Sequence, residues 1–254
     1  GWYGRLVTSG PMAKTVADAS LLMSILAGPD AIDPLTLPES GDYFLDALVP
    51  ARCDPKNPIK VAVSEDLGTL PIESSVRSVI QNTAQIFSDL GAQVTQDHPN
   101  LDGAMEVFQT QRAAGLRTLG RNLDLAFPDW RADAKDTAIW NIERGFALTP
   151  EELLNSEQQR TKIYAAVSEF FQRHDVLALP AAQVPPFQID QEWVGEIDGV
   201  TLDTYIDWMA VCCMITVTGL PTLSIPAGFN SAGLPIGVQL VGKPRGDLEL
   251  LSLI

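Results

Sequence analysis

Residues 216–247 read TVTGLPTLSIPAGFNSAGLPIGVQLVGKPRGD, and the order of apolar and turn-forming residues within them decides the fold. Two runs, Leu220 to Ala227 and Ile236 to Val241, are built from residues that suit a buried strand. Asn230, Ser231, Ala232 and Gly233 between them have the composition of a tight connection, so the stretch predicts a hairpin. Pro221, Pro226 and Pro235 have no backbone N–H to give to a ladder, which predicts that each lies at a strand end or on an unpaired edge.

Outward from the hairpin, Thr204 to Met214 predicts a helix leading into it, and Val176 to Leu179 a buried strand, with a loop from Pro180 to Val200 between them. Thr149-Pro150-Glu151-Glu152 carries the signals of a helix start, and the helix continues through Ile163, Val167, Phe170 and Phe171 to His174. Ile59 to Val63 predicts a strand, Ile72 to Leu90 an amphipathic helix stopped by Gly91, and Ala92 to Thr95 a second strand. A strand, helix and strand in that order predict a right-handed crossover into a parallel sheet. Val16, Ala19, Leu22, Met23 and Leu26 predict a helix opened by the capping pair Thr15 and Asp18. Prolines punctuate residues 29–58, which predicts a surface excursion with at most a short helix near Tyr43 to Leu48; Leu248 to Ile254 predicts a final helix that is cut off. The expected fold is α/β, a mixed sheet between helices within a single domain spanning 1–254.

A length of 254 residues with 46% hydrophobic content is enough for a sizeable core. The net charge of −15 repels phosphate backbones and anionic lipid, which argues against direct nucleic-acid and membrane partners and leaves small neutral ligands open. Cys53, Cys212 and Cys213 make no disulfide framework, which points to the reducing cytoplasm, and no apolar run approaches the roughly 20 residues that cross a bilayer.

The hairpin stretch T-G-L-P-x-x-S-I-P-A-G-F, followed by G-L-P-I-G-V-Q-L-V-G-K-P, resembles the C-terminal segment of the amidase signature family. Gly10 to Asp18 (GPMAKTVAD), with Leu21 to Asp30 after it, is similar to that family's segment just downstream of its catalytic serines, and Asp175 to Pro180 (DVLALP) falls between the two matches. The resemblance implies an amidase that cleaves the C–N bond of a carboxamide, with no cofactor. It implies a lysine that draws a proton through one serine so that a second serine attacks, and a Gly/Ser-rich loop that holds the oxyanion. Those groups belong to the part of the family's chain that precedes Gly1, so the resemblance implies a fold incomplete at the N-terminal side, a chain inactive by itself and poor solubility. Two alternatives remain: a non-catalytic amidase-like fragment or interaction module, and a component of an amidotransferase that works on charged tRNA, which the negative charge disfavours.

Candidate chemistry within the chain is sparse. The two histidines, His98 and His174, are not at metal-ligand spacing and read as surface or helix-end residues. Ser74-Ser75 has no neighbouring glycines and reads as part of a helix start. Cys212 and Cys213 read as small core residues, and Arg112, Arg117, Arg121, Arg131 and Arg144 as solvated helix faces, with a substrate-entry lid as the lesser reading. No residue is therefore assigned as catalytic and none as a metal ligand. By resemblance, Pro180 and Ala181 and the turn Thr216, Val217, Thr218 and Gly219 lie near the family's active site, and Trp208 offers an apolar surface there. The substrate-binding set is thus Pro180, Ala181, Trp208, Thr216, Thr218 and Gly219, with core packing and turn geometry as the competing reading for each.

Overall fold

A computed structural model describes residues 6–33, 36–48 and 54–253. Strands β1 (Lys60–Val63), β2 (Gln93–Gln96), β3 (Val176–Pro180), β6 (Thr222–Phe229) and β7 (Pro235–Gly242) form one sheet in the order β2-β1-β3-β7-β6. β4 (Glu196–Ile197) and β5 (Val200–Thr201) pair separately, β4 inside the segment expected to be loop and β5 at its end. β1 runs parallel to β2 and to β3, while β7 is antiparallel to both β3 and β6, so the sheet is mixed.

The hairpin β6–β7 forms as its sequence predicts. Asn230 Oδ1 accepts from the backbone N–H of Ala232 at 3.1 Å and of Leu234 at 2.9 Å, and Gly233 takes the left-handed φ of 77° that closes the turn. Pro221 precedes β6, Pro235 begins β7, and Pro226 sits where the register slips before Gly228, on the strand at the edge of the sheet.

Alternation along the central strands sorts the core into two layers. Ala62, Leu177, Leu179 and Val241 face one side and pack with α3 (Ala104–Ala126), α6 (Pro150–Phe170) and α7 (Ala210–Thr218), where Val107, Ile163, Phe170 and Val211 lie. Val61, Val63, Val176, Ala178 and Leu240 face the other side, against Val76, Val79 and Ile80 of α2 (Ser74–Asp89) and Leu250 of α8 (Asp247–Ser252). β3 is buried at all five positions, so both faces of it are covered, and each large apolar side chain contributes about 1.5–3 kcal/mol.

α1 (Val16–Leu26) begins on Thr15, whose Oγ1 accepts the Asp18 N–H at 3.1 Å, and it packs on the expected short helix, a 3₁₀ segment at Gly41–Leu48. α6 begins with a complete capping box in which Thr149 and Glu152 satisfy each other's backbone N–H groups. Between α3 and α6 lie α4 (Trp130–Asp133) and α5 (Asp136–Ala147).

Two expectations are corrected. The helix predicted over Thr204–Met214 starts later: a 3₁₀ turn at Asp207–Met209 leads into α7, which continues to Thr218. Thr216, Val217 and Thr218 are therefore its last turn, and Gly219, at φ 68°, is the left-handed residue that ends it. Arg112 and Arg117 are not solvated faces but half-buried ties from α3 to α5. Arg112 donates to Asn141 and, at 2.7 Å, to the Tyr205 hydroxyl, and Arg117 reaches the carbonyls of Gly145 and Phe146.

Candidate substrate cavity

The end of α7 and the start of β6 form one wall of a cavity of about 660 Å³, Leu6 and residues 8–11 with part of α1 form another, and Arg245 with Asp247, Leu250 and Leu251 of α8 completes it. Two features define and hold the end of α7. Gly219 adopts the conformation that terminates a helix, and Arg160 of α6 donates from Nε to the Val217 carbonyl at 2.9 Å, placing a cation at the helix C-terminus. Arg160 is itself held by Gln111 Oε1 at 2.9 Å. The wall is thus anchored from behind by two helices.

Of the residues singled out from sequence, Thr216 and Gly219 border this cavity. Pro180 and Ala181 do not border it but bond residues that do: the Pro180 carbonyl accepts from Gln239 Nε2 at 2.8 Å, and the Ala181 carbonyl accepts from Cys212 Sγ at 2.9 Å. Thr218 is buried, its hydroxyl donating to the Ile215 carbonyl at 2.6 Å, so it belongs to the helix end. Trp208 lies in a separate cluster with Val184, Val194, Ile197 and Leu202, its ring edge-on to Phe187 at 5.3 Å.

Sequence reasoning missed Gln239, which is 5% exposed and lines the cavity, and Gln183, which is fully buried behind it. A signal was present: a lone polar residue inside the apolar run IGVQLV must find buried partners. The two cysteines part company. Cys213 is buried as expected, and that burial, with the neighbouring Cys212 second, pushes its thiol up to about 12. Cys212 is exposed on the cavity wall, which corrects its reading as a core residue; crowding by protein atoms still pushes its thiol upward. Cys53 lies outside the described residues.

The cavity holds hydroxyl, thiol, amide and carboxyl groups and the Arg245 guanidinium beside apolar Met23, Ile215 and Leu223. Burial holds the Asp247 carboxyl above its usual range, with Glu249 adding to the rise. Elsewhere, Ser75 Oγ donates to Glu73 Oε1 at 2.7 Å and the Ser74 N–H to Asp198 Oδ2 at 2.9 Å, so that pair starts α2 as its sequence implied. Among the described residues, lysine ion pairs are with carboxylates, Lys135 with Glu192 and Lys243 with Asp175. His174 is buried rather than superficial, stacked on Phe170 at 4.4 Å with Nε2 3.1 Å from Thr95 Oγ1. No three His, Cys, Asp or Glu side chains among the described residues converge as a metal requires, and no helix among them is long and apolar enough to cross a membrane.

The fold and cavity define a class: an α/β protein whose mixed sheet, sandwiched by helices, carries a ligand-sized cavity beside its edge strand. The amidase family profile matches residues 4–251, and the chain belongs to that family. It is 27% identical over 246 residues to an acylamidase of Rhodococcus erythropolis, covering 95% of this chain and 50% of the relative. It is 26% identical over 274 residues to a glutamyl-tRNA(Gln) amidotransferase component from Thermodesulfovibrio yellowstonii, covering 96% of this chain and 53% of that one. A solved bacterial aryl acylamidase of the amidase signature family shares the fold with a TM-score of 0.82 at 23% identity, over 96% of this chain and 51% of that chain. The chain spans about half the length of the relatives it matches.

Proposed function

We propose that this chain supplies the substrate-binding wall of an amidase, which hydrolyses the C–N bond of a carboxamide to a carboxylate and ammonia or an amine, and that the attacking serine and its lysine base lie outside residues 1–254. The observation that carries this reading is the cavity itself. It is large enough for a small amide and bordered by Thr216, Gly219, Cys212 and Gln239, and no lysine lines it to serve as a base among the described residues. Membership of the amidase family supports the reaction class. The relative named as an amidotransferase component supports a second reading, action on charged tRNA, which the net charge of −15 opposes.

The test is ammonia release from benzamide by purified residues 1–254, where none is expected. Turnover that persists in the double variant Ser74→Ala, Ser75→Ala would put the chemistry on other groups of this chain and overturn the reading.

A further inference from the structure

Two buried glutamines bracket Val211, the second residue of α7. Gln183, fully buried, uses both ends of its amide: Nε2 donates to the Pro71 carbonyl at 3.0 Å, and Oε1 accepts the Val211 N–H at 3.1 Å. Gln239, 5% exposed, uses only one. Its Nε2 donates to the Pro180 carbonyl at 2.8 Å and to the Val211 carbonyl at 3.5 Å.

Both partners of Gln239 Nε2 are carbonyls, which only accept, so the NH₂ must face them and the orientation of the amide is fixed by chemistry. Its Oε1 receives no hydrogen bond from any described residue. Nor is it sealed in the core, since the buried side-chain polar atoms without a partner, among the described residues, are Ser20 Oγ and Trp208 Nε1. Gln239 lines the cavity, so the atom that remains accessible opens onto it. Thr216, whose side chain likewise makes no hydrogen bond to a described residue, borders the same space, with Ile215 and Leu223 as apolar walls.

We infer that Gln239 Oε1 is a fixed acceptor for an N–H group of the ligand, so that the cavity selects amides carrying a nitrogen-bound hydrogen over esters and fully substituted amides. The inference rests on the reading that an amide occupies this cavity, and it adds which atom reads the amide and which amides are taken. An acceptor already aimed by two other bonds needs no further ordering when the ligand arrives. A ligand without an N–H leaves it unsatisfied in a largely desolvated position.

The test uses two probes of the same shape, N-methylbenzamide and methyl benzoate, which differ by N–H against O. Each is titrated into the full 254-residue chain, with NMR shifts of Thr216 and Gly219 reporting binding in the cavity. The amide is expected to bind about fivefold more tightly, the value of one neutral hydrogen bond, and Gln239→Met to bring the ratio close to one. Equal binding of both probes by the unaltered chain overturns the inference and leaves the amidase reading standing, and needs no variant to fold. A preference that survives Gln239→Met also overturns it. Failure of both probes to perturb the cavity overturns the inference together with the reading beneath it.

Discussion

The middle of the sheet and its α1–β6 flank are made of similar residues and fare differently. β3 has both faces covered, and Leu177 and Leu179 are fully buried. α1, whose sequence VADASLLMSIL is also mostly apolar, has only Ser20 buried, with Ile25 71% and Leu26 66% exposed. β6 has β7 on one side and no strand on the other, and none of its residues is fully buried. The difference teaches that apolar periodicity fixes which residues form a helix or strand, whereas burial depends on what is available to lie against it. The relative acylamidase is about twice this length, and the cavity lies along the same exposed flank.

Deleting side chains gives the largest expected contrast. Leu177→Ala opens a cavity between β3 and the α6–α7 layer and is expected to cost about 2–5 kcal/mol by denaturant unfolding. Ile25→Ala on α1 is expected to change stability by less than about 0.5 kcal/mol. Comparable losses at the two positions would mean that α1 is covered in solution, and the distinction between the regions would fall. A smaller effect belongs to Gln183→Leu, which leaves the Val211 N–H and the Pro71 carbonyl without their partner and is expected to cost about 1–3 kcal/mol.

On the open flank the expected change is in solubility rather than stability. Replacing Leu21 and Ile25 together by Glu removes apolar surface from α1 and is expected to raise the concentration at which the chain stays monodisperse in light scattering, with the thermal midpoint moving little. A collapse of the midpoint would show those side chains to be packed.

How much of this was legible in the sequence follows from the range of the interactions. The hairpin, the β1–α2–β2 unit and the α6 start were readable because their signals are local: proline without an N–H, an Asn-to-Gly turn, a Thr–Glu cap. The end of α7 was not. Thr216-Val217-Thr218 is β-branched and followed by Gly219-Leu220-Pro221, a pattern that reads as a turn. Burial of Val217 and Thr218 and the bond from Arg160, distant in sequence, keep the segment helical. Arg112 and Arg117 were misread because their partners, Asn141, Tyr205 and the α5 carbonyls, are brought near only by the tertiary fold. At the cavity, family resemblance selected Thr216 and Gly219, while Gln239 needed the question of where a polar group inside a buried strand makes its bonds.

The finest contrast is between the two helix starts. At α1, Thr15 receives the Asp18 N–H while its own hydroxyl donates to Asp18 Oδ2, a bond between side chains. At α6, Glu152 also accepts the backbone N–H of Thr149 at 2.8 Å, and that bond first, with Arg144 second, lowers its carboxyl from 4.5 to about 2. A carboxyl lowered in the folded state stabilises fully above its unfolded pKa, and the contribution fades as pH falls from about 4.5 toward about 2. Glu152→Gln should therefore unfold at lower urea than the unaltered chain near neutral pH, with the two midpoints converging as pH descends through that window. The group is exposed, so added salt should shrink the Arg144 share and leave the backbone bond. Midpoints that stay parallel down to pH of about 2 would show that the box does not hold the start of α6, and the stronger cap would lose its claim over the weaker one.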